Sequence, residues 1–232
     1  MKRRTYHQFC GLAKALDLVG ERWTLLIVRN LLLGPLRYSD LQHGLPGITT
    51  NLLAKRLKEM EAHGLIERVR RTPTARSFAY RLSERGAALE PAIHALGGWG
   101  MTEMHTVEAG DERRLEWLLV SLKRRYLGGM TLTAELVADA VPYAFQLTPD
   151  AISIQRGAAP SPQLRLAGPA LMLGPMLLGA HTANTLPASI TVDDSGDHLE
   201  QFLGAFRYPE RLPVLAADDA SAAEEGEEVR AE

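Results

Sequence analysis

Cysteine is nearly absent: Cys10 stands alone among 232 residues. No intrachain disulfide can form, folding needs no oxidising compartment, and a cytoplasmic protein is expected. Long apolar runs are missing as well. The most apolar stretch, 170–180, is broken by Gly174-Pro175 and falls well short of the roughly 20 residues that span a bilayer, so no membrane partner is expected. Met1-Lys2-Arg3-Arg4 is basic, but no apolar block of signal-peptide length follows it, and export is not expected. Enzyme signatures are missing too. There is no Gly-x-Ser-x-Gly elbow, no P-loop and no Gly-x-Gly-x-x-Gly, and the seven histidines lack the spacing or cysteine partners of a metal site. No catalytic residue, metal or cofactor is expected.

What is present is an uneven charge. The net charge of -2 combines 16 Lys+Arg against 8 Asp+Glu in residues 1–100, a net of +8, with 10 against 20 in residues 101–232, a net of -10. The basic half has nucleic acid as a candidate partner, and the acidic half does not. Two domains follow, 1–108 and 111–210, separated at the breaker Ala109-Gly110-Asp111; the acidic 211–232 has the composition of a disordered tail.

In the first half apolar residues recur at helical spacing (Leu12, Leu16, Val19; Trp23, Leu26, Ile27, Leu31), with Gly20 between, which predicts two helices. A short helix follows over 38–44, then the turn Leu45-Pro46-Gly47-Ile48, then a long helix capped by Thr49 or Thr50 and stopped by Gly64. Extended runs at 65–71 and 78–82 predict a hairpin, and Ser83 can cap one last helix with Leu89, Ile93, Leu96 and Trp99 on one face. This order describes a winged helix-turn-helix domain, whose long helix enters the major groove.

On a wheel of that helix Leu53, Leu57, Met60 and Gly64 form an inward stripe, and Asn51, Lys55, Lys58 and Ala62 form the opposite face. Asn pairs with adenine, and Lys with guanine or phosphate. Thr49, Thr50, Asn51, Lys55 and Lys58 are therefore candidate DNA-binding residues. Arg70, Arg71 and Arg76, with Arg68, gather on the hairpin and its tip, where a wing would meet phosphate. The alternative is a solvated helix face that touches nothing.

These residues resemble a known family. Cys10, Ala13, Ala15-Leu16-Asp17-Leu18-Val19-Gly20, Arg22-Trp23-Thr24-Leu25-Leu26-Ile27, Leu32-Leu33-Gly34-Pro35 and Tyr38-Ser39-Asp40-Leu41 look like the HxlR-type winged-helix repressors. So do Pro46-Gly47-Ile48, Asn51-Leu52-Leu53, Arg56-Leu57-Lys58-Glu59-Met60-Glu61, Gly64-Leu65-Ile66, Tyr80-x-Leu82-Ser83-x-x-Gly86 and Trp99. The resemblance runs through 9–100. It implies a bacterial transcription regulator that binds double-stranded DNA as a homodimer built on its first and last helices. It also marks Cys10 as a possible redox sensor, because several members sense oxidants or electrophiles there, and a thiol at a helix N-terminus can be acidified. Many members carry Pro directly after this cysteine; here Gly11 stands there. The other reading of Cys10 is an inert filler of the dimer interface.

The acidic half reads as α+β: a helix over 112–126, strands at 132–137, 143–147, 151–155, 163–166 and 189–192, an apolar helix over 169–178 and a last helix over 196–206. This order over 130–207 resembles the sterol carrier protein-like domain, in which helices over a five-stranded sheet can enclose an apolar tunnel. Phe145, Leu147, Ile154, Leu166, Leu171, Met176 and Leu177 then either line a tunnel for a small hydrophobic effector or fill a closed core. Two functions remain open: a DNA-binding repressor with a ligand-sensing domain, or a lipid-carrying or scaffolding protein whose winged domain mediates protein contacts.

Overall fold

The structure is a computed structural model that describes residues 5–70, 77–104 and 110–207. Two helices open it, α1 (Gly11–Val19) and α2 (Thr24–Leu31). Their break falls at Gly20, whose N–H donates to the Leu16 carbonyl at 2.9 Å; a Cβ there would lie 2.5 Å from that same oxygen, so the close approach requires glycine. Strand β1 (Leu36–Arg37), α3 (Tyr38–His43) and α4 (Thr50–Ala62) follow. Then come β2 (Ile66–Arg70) and β3 (Phe78–Leu82), and the small antiparallel sheet has the order β1-β3-β2. Ile27, Val28, Leu41, Leu53, Leu57 and Met60 meet at the centre of this half, each almost fully out of water. Each such side chain contributes about 2 kcal/mol.

The single last helix expected from Ser83 is two helices, α5 (Glu84–Ala87) and α6 (Glu90–Gly100). Ser83 does cap the first, accepting from the Gly86 N–H at 3.0 Å. Pro91 has no N–H to give to the Ala87 carbonyl, so the ladder fails there and restarts with proline in the first turn of α6. Gly64 is not on the inward stripe of α4 either. The helix ends before it, and Gly64 takes the left-handed conformation (φ +67°) that commonly closes a helix.

The second half begins with α7 (Leu115–Arg125) and continues as β4 (Leu132–Ala138), β5 (Val141–Leu147), β6 (Ile152–Arg156), β7 (Leu164–Gly168), α8 (Ala170–Leu177), β8 (Thr191–Asp194) and α9 (His198–Gly204). The five strands form one sheet in the order β6-β5-β4-β7-β8, parallel only between β4 and β7. Alternate residues of β4 and β5 (Leu132, Ala134, Leu136; Tyr143, Phe145, Leu147) point into a core closed by Leu119, Leu122, Leu173, Met176 and Phe202. The whole is a winged helix-turn-helix joined to an α+β unit. β8 begins two residues later than expected, because Ile190 is buried in the core before pairing starts.

The composition break at 109–111 does not divide the packing. Leu32 and Leu33, just after α2, belong to the core of the second half, and the Arg156 N–H donates to the Leu33 carbonyl at 2.7 Å. Lys123 of α7 pairs with Glu90 of α6 at 2.8 Å. Gly110 is described and lies in the left-handed region, whereas Ala109 and the expected tail lie outside the described residues. Leu33, 2% exposed, should therefore act on both halves: Leu33→Ala should cost about 3 kcal/mol and lower a single unfolding transition in denaturant. A second transition that stays at its original midpoint would contradict the shared core.

Candidate nucleic-acid interface

Helix α4 is positioned at its N-terminal end and from beneath. Thr49 caps it, its Oγ1 accepting from the Leu52 N–H at 3.4 Å. From α3, Tyr38 Oη donates to the Thr50 carbonyl at 2.7 Å, and Gln42 Nε2 donates to Thr50 Oγ1 at 3.1 Å. Asp40 steadies α3 by accepting from the Arg37 N–H at 3.1 Å. Beneath, Leu53, Leu57 and Met60 are buried, as the wheel requires.

Arg56 lies with them, only 6% exposed, and sequence reasoning missed it. Its Nη1 bonds to Glu59 and its Nη2 to Glu21, while Nε donates to the Arg22 carbonyl at 3.2 Å. A buried guanidinium needs such partners, and these tie α4 to the loop between α1 and α2. A local signal existed: Arg56 lies about 60° from Leu53 on the wheel, with Glu59 three residues on. Glu21, 35 positions away, had none.

The opposite face is open. Thr49, Thr50, Asn51, Lys55, Lys58 and Ala62 are all exposed, and Lys55 makes only a loose 4.0 Å pair with Glu59. On the wing Arg70 is exposed and lies over the Phe78 ring at 5.4 Å. Arg68 is committed to Glu61 at 3.2 Å, and on the hairpin Arg81 pairs with Glu67. Arg71 and Arg76 lie outside the described residues. The site thus combines an amide donor/acceptor, two ammonium groups and one guanidinium on adjoining elements, a set suited to base edges and phosphates.

The other candidates separate. Cys10 is exposed at the start of α1, and the backbone amide of Ala13, then that of Leu12, holds its thiol below the ordinary value. Phe145, Leu147, Ile154, Leu166, Met176 and Leu177 all sit inside the core of the second half. Leu171 does not join them; it is 68% exposed. On α8 it lies about 140° from Met176 and about 200° from Leu173, so the helix that buries those residues turns Leu171 outward. A cavity of about 220 Å³ lies elsewhere, bordered by Arg113, Arg114, Glu116, Asp139, Tyr143 and Ala170 among others. There Tyr143 Oη donates to Glu116 Oε1 at 2.9 Å, and burial pushes the phenol up.

This geometry is that of a helix-turn-helix protein. The profile of the HxlR-like helix-turn-helix family matches residues 18–108. The uncharacterized HTH-type transcriptional regulator YvaP of Bacillus subtilis is 36% identical over 86 residues, covering 37% of this chain and 80% of YvaP. The HTH-type transcriptional regulator YodB of the same organism is 35% identical over 85 residues, covering 37% and 76%. The crystal structure of a putative HTH-type transcriptional regulator, ytcD, is 31% identical and covers 41% of this chain and 98% of that one, with a TM-score of 0.38. The chain belongs to the HxlR-like helix-turn-helix family, a family of transcriptional regulators, and the match lies in its first half.

Removing Arg56 takes away the shared partner of Glu21 and Glu59 and with it the tie from α4 to the loop between α1 and α2. Arg56→Met should lower stability by about 2 kcal/mol, read from the urea midpoint. An unchanged midpoint would show that the network holds nothing. The apparent pKa of Cys10, read from the pH dependence of its alkylation rate, should fall below the free-thiol value of about 8.5; a value at or above it would remove the effect of the amides.

Proposed function

We propose that the protein is a transcriptional repressor that binds an inverted repeat as a homodimer, placing Asn51, Lys55 and Lys58 of each α4 in the major groove and Arg70, Arg71 and Arg76 on the flanking phosphates. The single observation that carries this reading is the division of α4, whose one side is fixed by Leu53, Arg56, Leu57 and Met60 and whose other side is exposed, polar and basic. Support for a dimer comes from the apolar side chains left in water on the first and last helices of this half: Leu12 (68% exposed) on α1, and Leu96 and Trp99 (51% and 70%) on α6. Such a dimer would set its half-sites about one helical turn, roughly 34 Å, apart.

To the acidic half we assign the reception of a small effector. Its charge of -10 keeps it from phosphate, so its task lies elsewhere. A hydrophobic ligand in the sterol carrier protein-like manner would have to part Phe145, Ile154 and Met176, whereas the cavity beside Tyr143 is already open. Cys10, exposed and acidified, is the second candidate sensor. The lipid-carrier reading needs the same core residues to open and gives no role to the face of α4.

A gel shift with DNA from upstream of the protein's own coding region tests the central reading. Lys55→Glu should weaken binding by about 2–3 kcal/mol, replacing an attraction by a repulsion at a base-reading position, while Arg70→Ala should weaken all sequences about equally. If both variants shift this DNA at wild-type concentration, α4 and the wing do not dock as described. Trp99→Glu should leave a monomer in size-exclusion with light scattering, and a dimer of undiminished size would move the interface off α6.

A further inference from the structure

Besides the Arg156–Leu33 and Lys123–Glu90 contacts, the second half meets α2 through a guanidinium laid on an indole ring. Arg29, in the last turn of α2, places Cζ 4.4 Å from the centroid of the Trp117 ring on α7. The five other guanidinium–ring pairs among the described residues are longer, from 5.4 to 5.9 Å. Among the described residues no carboxylate pairs with Arg29. Burial, with the nearby charge of Arg114, pushes its guanidinium down to about 10. Its remaining partner is an amide: Nε donates to Asn30 Oδ1 at 3.0 Å. Asn30, 9% exposed, then donates from Nδ2 to the Gly44 carbonyl at 2.9 Å.

The Asn30 amide can sit only one way round. Reversed, its NH₂ would face the guanidinium and its oxygen would face the Gly44 oxygen, two repulsions in place of two hydrogen bonds. Arg29 therefore orients Asn30. Position 44 has no room for more: a Cβ there would lie 2.8 Å from Asn30 Nδ2. Gly44 ends α3 and opens the turn that leads to the Thr49 cap of α4.

We propose that Arg29 is a positioning residue for DNA binding: held on Trp117, it fixes Asn30 against the Gly44 carbonyl and thereby sets the turn from which α4 departs. The acidic half then bears on the DNA-reading helix by contact rather than through the chain at 109–111. Arg114 extends the path, because it borders the cavity of the second half and also lies over the Trp117 ring, at 5.9 Å. The consequence for DNA rests on the proposed role of α4; the coupling itself does not.

The test is hydrogen exchange by mass spectrometry on the full chain. Trp117→Ala should raise exchange of residues 44–50 about tenfold, and Trp117→Leu, which keeps an apolar filler but no ring face, should do the same. Trp117→Phe should stay within about threefold of the parent. Asn30→Ala should give the same rise, and the Asn30→Ala/Trp117→Ala pair should rise no further, since both cut one path. Unchanged exchange at 44–50 in Trp117→Leu would overturn the proposal. So would a rise matched in β4 and β5, which marks general loosening, and so would additive effects in the pair. A gel shift run on the same proteins keeps the two readings apart: if the parent fails to bind DNA, the assignment of α4 fails while the exchange result still decides the coupling.

Discussion

Everything the first half can do depends on how firmly the inner side of α4 is held. Three apolar side chains leave water there, and between them a guanidinium is buried with its donors taken by Glu21, Glu59 and the Arg22 carbonyl. The apolar contacts supply most of the free energy and resist rotation of the helix about its axis, which would return their side chains to water. The charged bonds add to this resistance, because unpairing a buried guanidinium costs several kcal/mol. Rotation by one residue would carry Asn51, Lys55 and Lys58 off the outer face together. The same fixed phase that hides Arg56 presents the polar face.

The second constraint is the loop after α2. Leu32 and Leu33 fill the core of the second half, against which Leu82 and Ile93 of the first half also pack, and Gly34 and Pro35 turn the chain back into β1 directly afterwards. Here α7 and the sheet of the second half cover the two leucines, with Glu90–Lys123 at the rim. The acidic half is accordingly seated against α2 and α6.

Much of this was legible in the sequence because it is local. The helical spacing, the Thr49 and Ser83 caps, the turn at Pro46-Gly47 and the alternation in β4 and β5 each announce themselves within a few residues. What was not legible is what depends on distant partners or on phase. Arg56 reads as a surface residue until Glu21 is brought beside it. Leu32 and Leu33 read as core without saying whose. Leu171 shares its chemistry with Met176 and Leu177, and only its angle on the short helix α8 separates an exposed side chain from two buried ones. Pro91 divides the last helix by lacking one hydrogen, a rule that was available and that the smooth apolar spacing of Leu89, Ile93 and Leu96 concealed.

The central claim is that the outer face of α4, with the wing beside it, neutralises phosphate. Its most direct measurement is the affinity for the upstream DNA as salt rises from about 50 to 200 mM. Lys55, Lys58 and Arg70 give at least three phosphate-neutralising cations per protomer and six per homodimer, so the logarithm of the binding constant should fall linearly with the logarithm of salt, with a slope of about -5 or steeper. A slope near zero, with the protein folded throughout, would contradict the claim.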